Sequence, residues 1–436
     1  MDPVLIIVFI ALLIVLFIGT PISLGVGFLG VAGILVFLPP QLMDQLALIT
    51  YNQTTSMTTL MIPLYILMAE FLANSNIAAD LFEVISRRLK RIPANLAVSS
   101  IVASALFSAL CGSAPATAAT MGRISIPTML KKGYSKAIAG GTQAAGGNLG
   151  ILIPPSINLI IYGMITETSV AKLFMGGMVP GIMLAVMMIA YVMIRSKVDP
   201  KMIVPPMETE EEKAFEKNQS WLVDITTVGP MVLLIAIIFF TLYSGVATAT
   251  ESAAIGAVLA GVIVILQRRM TKKCLQKTLL NTTSTTCMIL FLMFGGLIFA
   301  LFLTAMGLPQ QLSAFVLGAS PNPWVIFIIV NIIFLILGMF LEPLSIMMIV
   351  LPFVFPFMQQ LGFDPVWLGV VLTINCAIGM ITPPVGLNIF VLKGATGLPT
   401  GEIIRGVIPY IIIFLLGIVL ISIFPSIALF LPNSMA

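Results

Sequence analysis

The stretch Gly150-Ile151-Leu152-Ile153-Pro154-Pro155 has a counterpart in Gly379-Met380-Ile381-Thr382-Pro383-Pro384, with the same interval from glycine to prolines and an apolar setting in both places. At the offset that superposes them, 229 residues, Pro127, Met129, Gly133 and Gly140 also meet Pro356, Met358, Gly362 and Gly369. A match this extended reads as the duplication of one unit. Proline lacks the amide proton and collides with the preceding turn, so each Pro-Pro breaks a helix and strands backbone carbonyls in apolar surroundings. Interrupted helices at corresponding places in two halves are the best sequence pointer to the ion and solute site of a membrane carrier.

Apolar residues make up 59% of the 436, charged residues 9%, and the mean hydropathy is +1.13. Soluble domains sit near 45–50% and 25%, so the chain reads as an all-α polytopic membrane protein. The net charge of +4 comes mostly from Lys and Arg gathered in a few short segments. That pattern suits cytoplasmic loops rather than a nucleic-acid surface, and no nucleic-acid partner is implied. With no histidine in the sequence, His-based metal sites and Ser-His or Cys-His nucleophile pairs are excluded. No phosphate-binding G-x-x-x-x-G-K-[ST] loop occurs. Cys111, Cys274, Cys287 and Cys376 show no paired spacing and read as buried free thiols. The first apolar segment starts at Pro3 without a basic region or cleavage site, which reads as a retained helix.

About 20 apolar residues are needed to cross a bilayer, and fewer for a segment that dips in and returns. By that rule helices are expected at 4–18, 22–38 and 55–73, then an amphipathic stretch at 77–89 lying flat at the interface, with Leu81, Phe82, Ile85 and Leu89 opposite Asp80, Glu83, Arg87 and Arg88. Two short arms at 95–130 around Cys111-Gly112-Ser113-Ala114-Pro115 suggest a re-entrant hairpin, followed by a broken helix at 137–165 and a full helix at 173–194. Residues 1–195 thus form one repeat and 196–220, rich in Glu, Lys and Pro, a solvated cytoplasmic linker. The second repeat, 221–436, follows the same order: helices at 222–243, 248–266 and 280–305, an arm at 309–318, a hairpin at 323–358, a broken helix at 366–395, and 407–431. Ten crossings and two hairpins result.

Lys and Arg favour the cytoplasmic side, and neither occurs in residues 1–86 or 278–392. An external N-terminus places Arg87, Arg88, Lys90, Arg91, Lys131, Lys132, Lys136, Arg195 and Lys197 inside. Five crossings per half then invert the second half, leaving Arg268, Arg269, Lys272, Lys273, Lys277, Lys393 and Arg405 inside and both termini periplasmic. The second hairpin, near Glu342, enters from the side without Lys or Arg.

Two hairpins entering from opposite faces, each beside a broken helix, supply carbonyl oxygens for a cation and amide groups for an anion. Sodium suits such oxygen ligands. The sodium candidates are Ser108, Gly112, Ser113, Asn148, Gly150 and Pro154 in the first half, with Gly338, Glu342, Gly379, Thr382 and Pro383 in the second. Substrate candidates are Thr117, Arg123, Ser156, Asn158, Gly386 and Asn388. Each has a structural alternative: Gly and Pro can serve close packing or a kink, and Ser113 and Thr117 can bond the preceding turn. Arg123 either meets a substrate carboxylate or snorkels to the surface. Glu342 either holds a cation or accepts backbone protons at its tip, whereas Glu251 reads as a helix cap ahead of a cation ligand. Glu70 and the methionines read as packing or interfacial residues. Asn148→Ala is expected to weaken sodium dependence without loss of folding.

Gly19-Thr20-Pro21, Cys111-Gly112-Ser113-Ala114-Pro115-Ala116-Thr117, Gly147-Asn148-Leu149-Gly150-Ile151-Leu152-Ile153-Pro154-Pro155-Ser156 and Gly379-Met380-Ile381-Thr382-Pro383-Pro384-Val385-Gly386 together resemble the large membrane subunit of tripartite ATP-independent periplasmic (TRAP) transporters, within the wider ion-transporter superfamily. The resemblance spans essentially the whole chain. It implies a bacterial inner-membrane importer of organic acids such as sialic acid or a C4-dicarboxylate, driven by sodium with no other cofactor. It also implies two partners, a small four-helix membrane subunit and a periplasmic substrate-binding protein, and an elevator mechanism in which hairpins and broken helices move against a scaffold of opening helices. Sodium–dicarboxylate relatives often carry Ser-Asn-Thr at both tips; here the tips read Cys111-Gly112-Ser113 and Leu341-Glu342-Pro343. The alternative is an autonomous sodium–carboxylate symporter that needs no binding protein. A channel would require a continuous polar path, and an intramembrane hydrolase paired aspartates, neither of which the sequence offers.

Overall fold

The computed structural model describes residues 3–18, 20–199, 221–319 and 322–435, and their regular secondary structure is helical. The first half contains α1 (Pro3–Ile18), α2 (Ile22–Phe37), α3 (Leu42–Thr55), α4 (Met61–Ala73) and α5 (Ile77–Arg88). A hairpin of α6 (Asn95–Cys111) and α7 (Ala114–Lys131) follows, then an interrupted helix of α8 (Lys136–Asn148) and α9 (Ile157–Thr166), and α10 (Val170–Val198). The second half contains α11 (Trp221–Tyr243), α12 (Ala249–Leu266), α13 (Lys272–Ala305) and α14 (Leu308–Ala319). Its hairpin is α15 (Pro323–Gly338) with α16 (Pro343–Gln360), its interrupted helix α17 (Pro365–Ile381) with α18 (Leu387–Thr396), and α19 (Thr400–Ile423) precedes α20 (Ser426–Ser434). Shifted by the offset of the two Pro-Pro motifs, α7 falls on α16 residue for residue, and α5, α6, α8, α9 and α10 begin within two residues of α14, α15, α17, α18 and α19. Of the expected linker, residues 200–220 lie outside the described residues.

Local chemistry sets these boundaries. Pro323, Pro343 and Pro365 open α15, α16 and α17, where a missing amide proton costs nothing. Ser135, Ser156 and Ser169 cap α8, α9 and α10, and Asp364 Oδ1 accepts the amides of Val366 and Trp367 at 2.8 and 2.9 Å. Thr248 and Glu251 form a reciprocal cap on α12, so Glu251 serves the helix end as read from the sequence. Six described helices are long and apolar enough to cross a bilayer alone, seven if α4 and α5, bent by 64°, count as one. The remaining apolar helices have 10–17 residues, the lengths expected of hairpin arms and broken-helix halves.

Three helices differ most from expectation. The helix expected at 55–73 begins at Met61, because Ser56–Leu60 turn the chain away from a separate helix, α3, whose scattered polar residues (Asp44, Gln45, Asn52, Gln53) gave no hydropathy signal. The helix expected at 280–305 starts at Lys272, since Thr271 Oγ1 accepts the Cys274 amide and caps it eight residues before the apolar run. The last crossing, expected at 407–431, runs from Thr400 to Ile423, with Pro425 separating α20. Cys111, Cys274 and Cys376 are buried, but Cys287 is exposed.

Glycines let helices cross closely. A Cβ on Gly30 of α2 would lie 2.8 Å from Phe299 N of α13, and one on Gly406 of α19 only 1.9 Å from Ala137 O beside Gly141 of α8. α5 turns off α4 at Asn76, whose φ is 59°. Its apolar side (Ile77, Leu81, Phe82) is covered by α6 and α7, while Arg87 reaches Asp224 of α11 at 3.1 Å and Asp80 reaches Arg269 at 2.5 Å. The amphipathic stretch is therefore a strap clamped to protein by both faces. A Gly406→Ala substitution should destabilise the detergent-purified protein by about 1–3 kcal/mol or more in thermal unfolding. Gly401→Ala, with nothing within 4 Å of the new methyl, should leave the transition unchanged.

Candidate functional site

Both interruptions are closed the same way. Ile157 N donates to Gly112 O of the first hairpin tip at 3.4 Å, and Gly386 N, its counterpart, donates to Met339 O of the second at 3.2 Å. Each break is thereby tied to the tip of its own hairpin. Gly112 sits at φ 63°, and a Cβ there would approach Pro155 O to 2.7 Å, so the tip admits only glycine. Ser156 Oγ donates to Ile151 O at 2.5 Å while accepting the Leu159 amide at 3.3 Å, and Thr382 Oγ1 donates to Ile378 O at 2.6 Å. These hydroxyls satisfy carbonyls that the Pro-Pro pairs leave without helical partners.

The two halves are joined at the same level. Asn148 Nδ2 donates to Ala377 O at 2.5 Å, across 229 residues, which is the duplication offset itself. Asn388 Nδ2 returns to Asn148 Oδ1 at 2.7 Å and to Ala144 O at 3.2 Å, and Asn158 Nδ2 reaches Thr373 Oγ1 at 3.1 Å. Gly338 and Gly379 touch backbone to backbone, a Cβ on Gly379 falling 2.5 Å from Gly338 C. All three asparagines are buried.

Between the tips lies a cavity of about 290 Å³. Its floor is formed by Gly112, Ser113 and Ala116 of the first tip, Glu342 and Leu344 of the second, and Asn158 beyond the first break; Glu70 of α4 with Thr285 and Met288 of α13 form the facing wall. A wider opening of about 1070 Å³ shares Ala69, Glu70, Cys111 and Ala116 with it and is rimmed by Arg123, Lys273 and Lys277. The inner cavity is lined by no Lys or Arg. Its resources for an anion are hydroxyl and amide side chains and the first-turn amides of α7, which have no partner within the helix.

Of the residues singled out from sequence, Gly112, Ser113, Asn158 and Glu342 line the inner cavity and Arg123 the outer one. Glu342 precedes α16 without a side-chain cap bond, so it does not hold the tip by accepting backbone protons. Thr117 and Gly150 lie one layer behind the first tip: a Cβ on Gly150 would be 2.9 Å from Ser113 O and 3.1 Å from Thr117 Oγ1. Thr117 Oγ1 is buried without a hydrogen-bond partner among the described residues. Ser108 donates to Ala105 O at 2.8 Å. Pro154, Ser156, Thr382, Pro383 and Gly386 shape the breaks, Asn148 and Asn388 link the two halves, and Gly338 and Gly379 press the second hairpin against its own interrupted helix. Glu70, read from the sequence as a packing or interfacial residue, stands at the cavity wall, where its Oε2 accepts from Asn74 and Asn281 at 2.8 Å each. Sequence reasoning missed Gln143, which gathers Ser100, Ser104 and Ser125 at 2.6, 3.1 and 2.9 Å and zips the first hairpin to α8.

Interrupted helices and paired hairpins around a solute-sized cavity are the arrangement of a membrane carrier. The chain belongs to the family described as "Tripartite ATP-independent periplasmic transporter, DctM component", whose model matches residues 8–427. It is 36% identical over 408 residues to a C4-dicarboxylate TRAP transporter large permease protein of Pseudomonas aeruginosa, covering 93% of each chain. It is 30% identical over 379 residues to a sialic acid TRAP transporter large permease protein of Vibrio cholerae, covering 86% of each. Its fold is also similar to the Alcanivorax borkumensis YdaH transporter, with a TM-score of 0.61 at 14% identity over 86% of this chain and 88% of that one.

Removing either partner of the Asn148–Asn388 contact leaves a buried amide group unpaired, at a cost of about 1–3 kcal/mol. Asn148→Ala and Asn388→Ala should each lower thermal stability by that order, and the double variant by clearly less than their sum. Additive losses in the unfolding measurement would show the pair to be uncoupled.

Proposed function

We propose that the chain is the large subunit of an importer that takes an organic acid from a periplasmic binding protein, works with a small membrane subunit, and is driven by sodium. The observation that carries this reading is the cavity enclosed by both hairpin tips, the first helix break and the wall of α4 and α13. Both relatives quoted above are named for organic acids, one a C4-dicarboxylate and one a sialic acid. A cavity of about 290 Å³ suits a small acid and favours the dicarboxylate class.

A site for an acid with no Lys or Arg at its surface calls for cations brought with the substrate. Ser113 O and Thr117 Oγ1 lie side by side against Gly150, 2.9 and 3.1 Å from the place a Cβ there would take, and oxygens of this kind suit sodium. Sodium bound there reinforces the positive end of α7, whose first turn faces the cavity. Substrate and cation are thus held by the same tip, which couples their movement.

In this reading the hairpins and interrupted helices move as one body, because the Asn148 and Asn388 contacts join them. The scaffold wall is low in specific polar contacts, with Ile66, Ala69, Met288 and Ile289 facing the cavity, and such a surface permits sliding. The Lys and Arg distribution supports a wide opening on the cytoplasmic side, periplasmic termini and repeats of opposite orientation in the bacterial inner membrane.

Proteoliposomes holding this chain and its small partner subunit, supplied with candidate binding proteins and labelled succinate or sialic acid, test the proposal. Concentrative uptake of one acid should require both the binding protein and an inward sodium gradient. Uptake that persists without the gradient contradicts sodium coupling, and uptake without a binding protein establishes the autonomous symporter instead. Thr117→Val, which removes a hydroxyl with no nitrogen or oxygen partner among the described residues, should keep the thermal transition and raise the sodium concentration for half-maximal uptake about tenfold, equivalent to roughly 1.4 kcal/mol. An unchanged sodium response removes Thr117 from the ligand set.

A further inference from the structure

We propose that the wide opening is itself a binding site for a multivalent organic anion, formed jointly by Arg123 of α7 and by Lys273 and Lys277 of α13. The three side chains rim one open space of about 1070 Å³. Lys273 and Lys277 are one helical turn apart and share a face of α13. None of the three makes an ion pair among the described residues, whereas the other charges of the opening are engaged. Arg269 pairs with Asp80 at 2.5 Å and donates to Ser75 O at 3.0 Å, and Glu70 accepts from Asn74 and Asn281. Three unneutralised cations around a concave space concentrate anions there and repel one another when it is empty. The site is distinct from the inner cavity, which has no cationic side chain.

The placement has a consequence that rests on the carrier reading above. Arg123 belongs to the moving hairpin and the two lysines to the scaffold, so displacement of one against the other takes the site apart. A ligand that binds one arrangement alone stabilises that arrangement. An organic acid accumulated on this side therefore bridges Arg123 to the lysine pair and holds the carrier open towards it, so that product restrains further uptake.

The test uses the purified full chain in sodium-free buffer, with succinate and citrate as probes and acetate as a control at matched ionic strength, read by titration calorimetry. The dianion and trianion should bind saturably and acetate should not, and added chloride salt should weaken the binding, as expected of exposed charges. The K273Q/K277Q variant and the R123Q variant should each bind about tenfold or more weakly while eluting as wild type in gel filtration. Wild-type affinity in K273Q/K277Q or in R123Q, or acetate binding as well as succinate, overturns the site. In proteoliposomes, internal succinate should slow initial uptake by the wild type severalfold and K273Q/K277Q far less; equal slowing overturns the bridging role. Should uptake prove independent of sodium while the sodium-free binding pattern persists, the sodium reading falls and the site stands.

Discussion

Backbone groups freed inside a bilayer must find partners within the protein, since hydrocarbon offers none and each unsatisfied group costs several kcal/mol. The two Pro-Pro pairs create that demand, and the surrounding structure is arranged to meet it. Hairpin tips supply carbonyls to Ile157 and Gly386, Ser156 and Thr382 return hydroxyls to Ile151 and Ile378, and Asn148 crosses to Ala377. Once those bonds are made, the tips, the breaks and the two halves occupy one layer. The cavity is a consequence of that layer, not a separate feature.

The first hairpin and the second solve the same packing problem with different chemistry. Gln143 with Ser100, Ser104 and Ser125 zips α6 and α7 to α8, whereas in the second half Leu372 stands at the position matching Gln143 and the polar link runs from Asn375 Nδ2 of α17 to Asn331 of α15, at 2.7 Å to Oδ1 and 2.8 Å to the carbonyl. A buried polar network specifies one arrangement closely. The oxygens proposed for sodium, at Ser113 and Thr117, also lie at the first tip, whereas Ile346 stands at the position matching Thr117. On this reading the repeat supplies the frame and the divergence of its halves the chemistry.

Much of this was legible in the sequence because it depends on residues with few conformational options. Proline pairs mark interruptions, Gly112 marks a tip that needs positive φ, and Thr248 with Glu251 marks a helix start. Hydropathy fails where a helix is not apolar: α3 was missed, and α13 begins well before its apolar run. Asn148 was legible as a polar residue at a break, but not as the link between halves, because no local pattern reveals a partner in the other repeat. The partner of Glu70 on α13, Asn281, was hidden for the same reason, being remote in sequence.

The central claim is that two copies of one unit, oppositely oriented, interlock at their interrupted helices. Lys131 and Gln360 end the second arms of the two hairpins at equivalent positions and are exposed. Single cysteines there, in a background with Cys111, Cys274, Cys287 and Cys376 replaced by alanine, can be labelled in intact cells with a membrane-impermeant maleimide. Labelling at position 360 but not at 131 until the membrane is opened is the predicted result. Labelling of both from the same side would contradict the account.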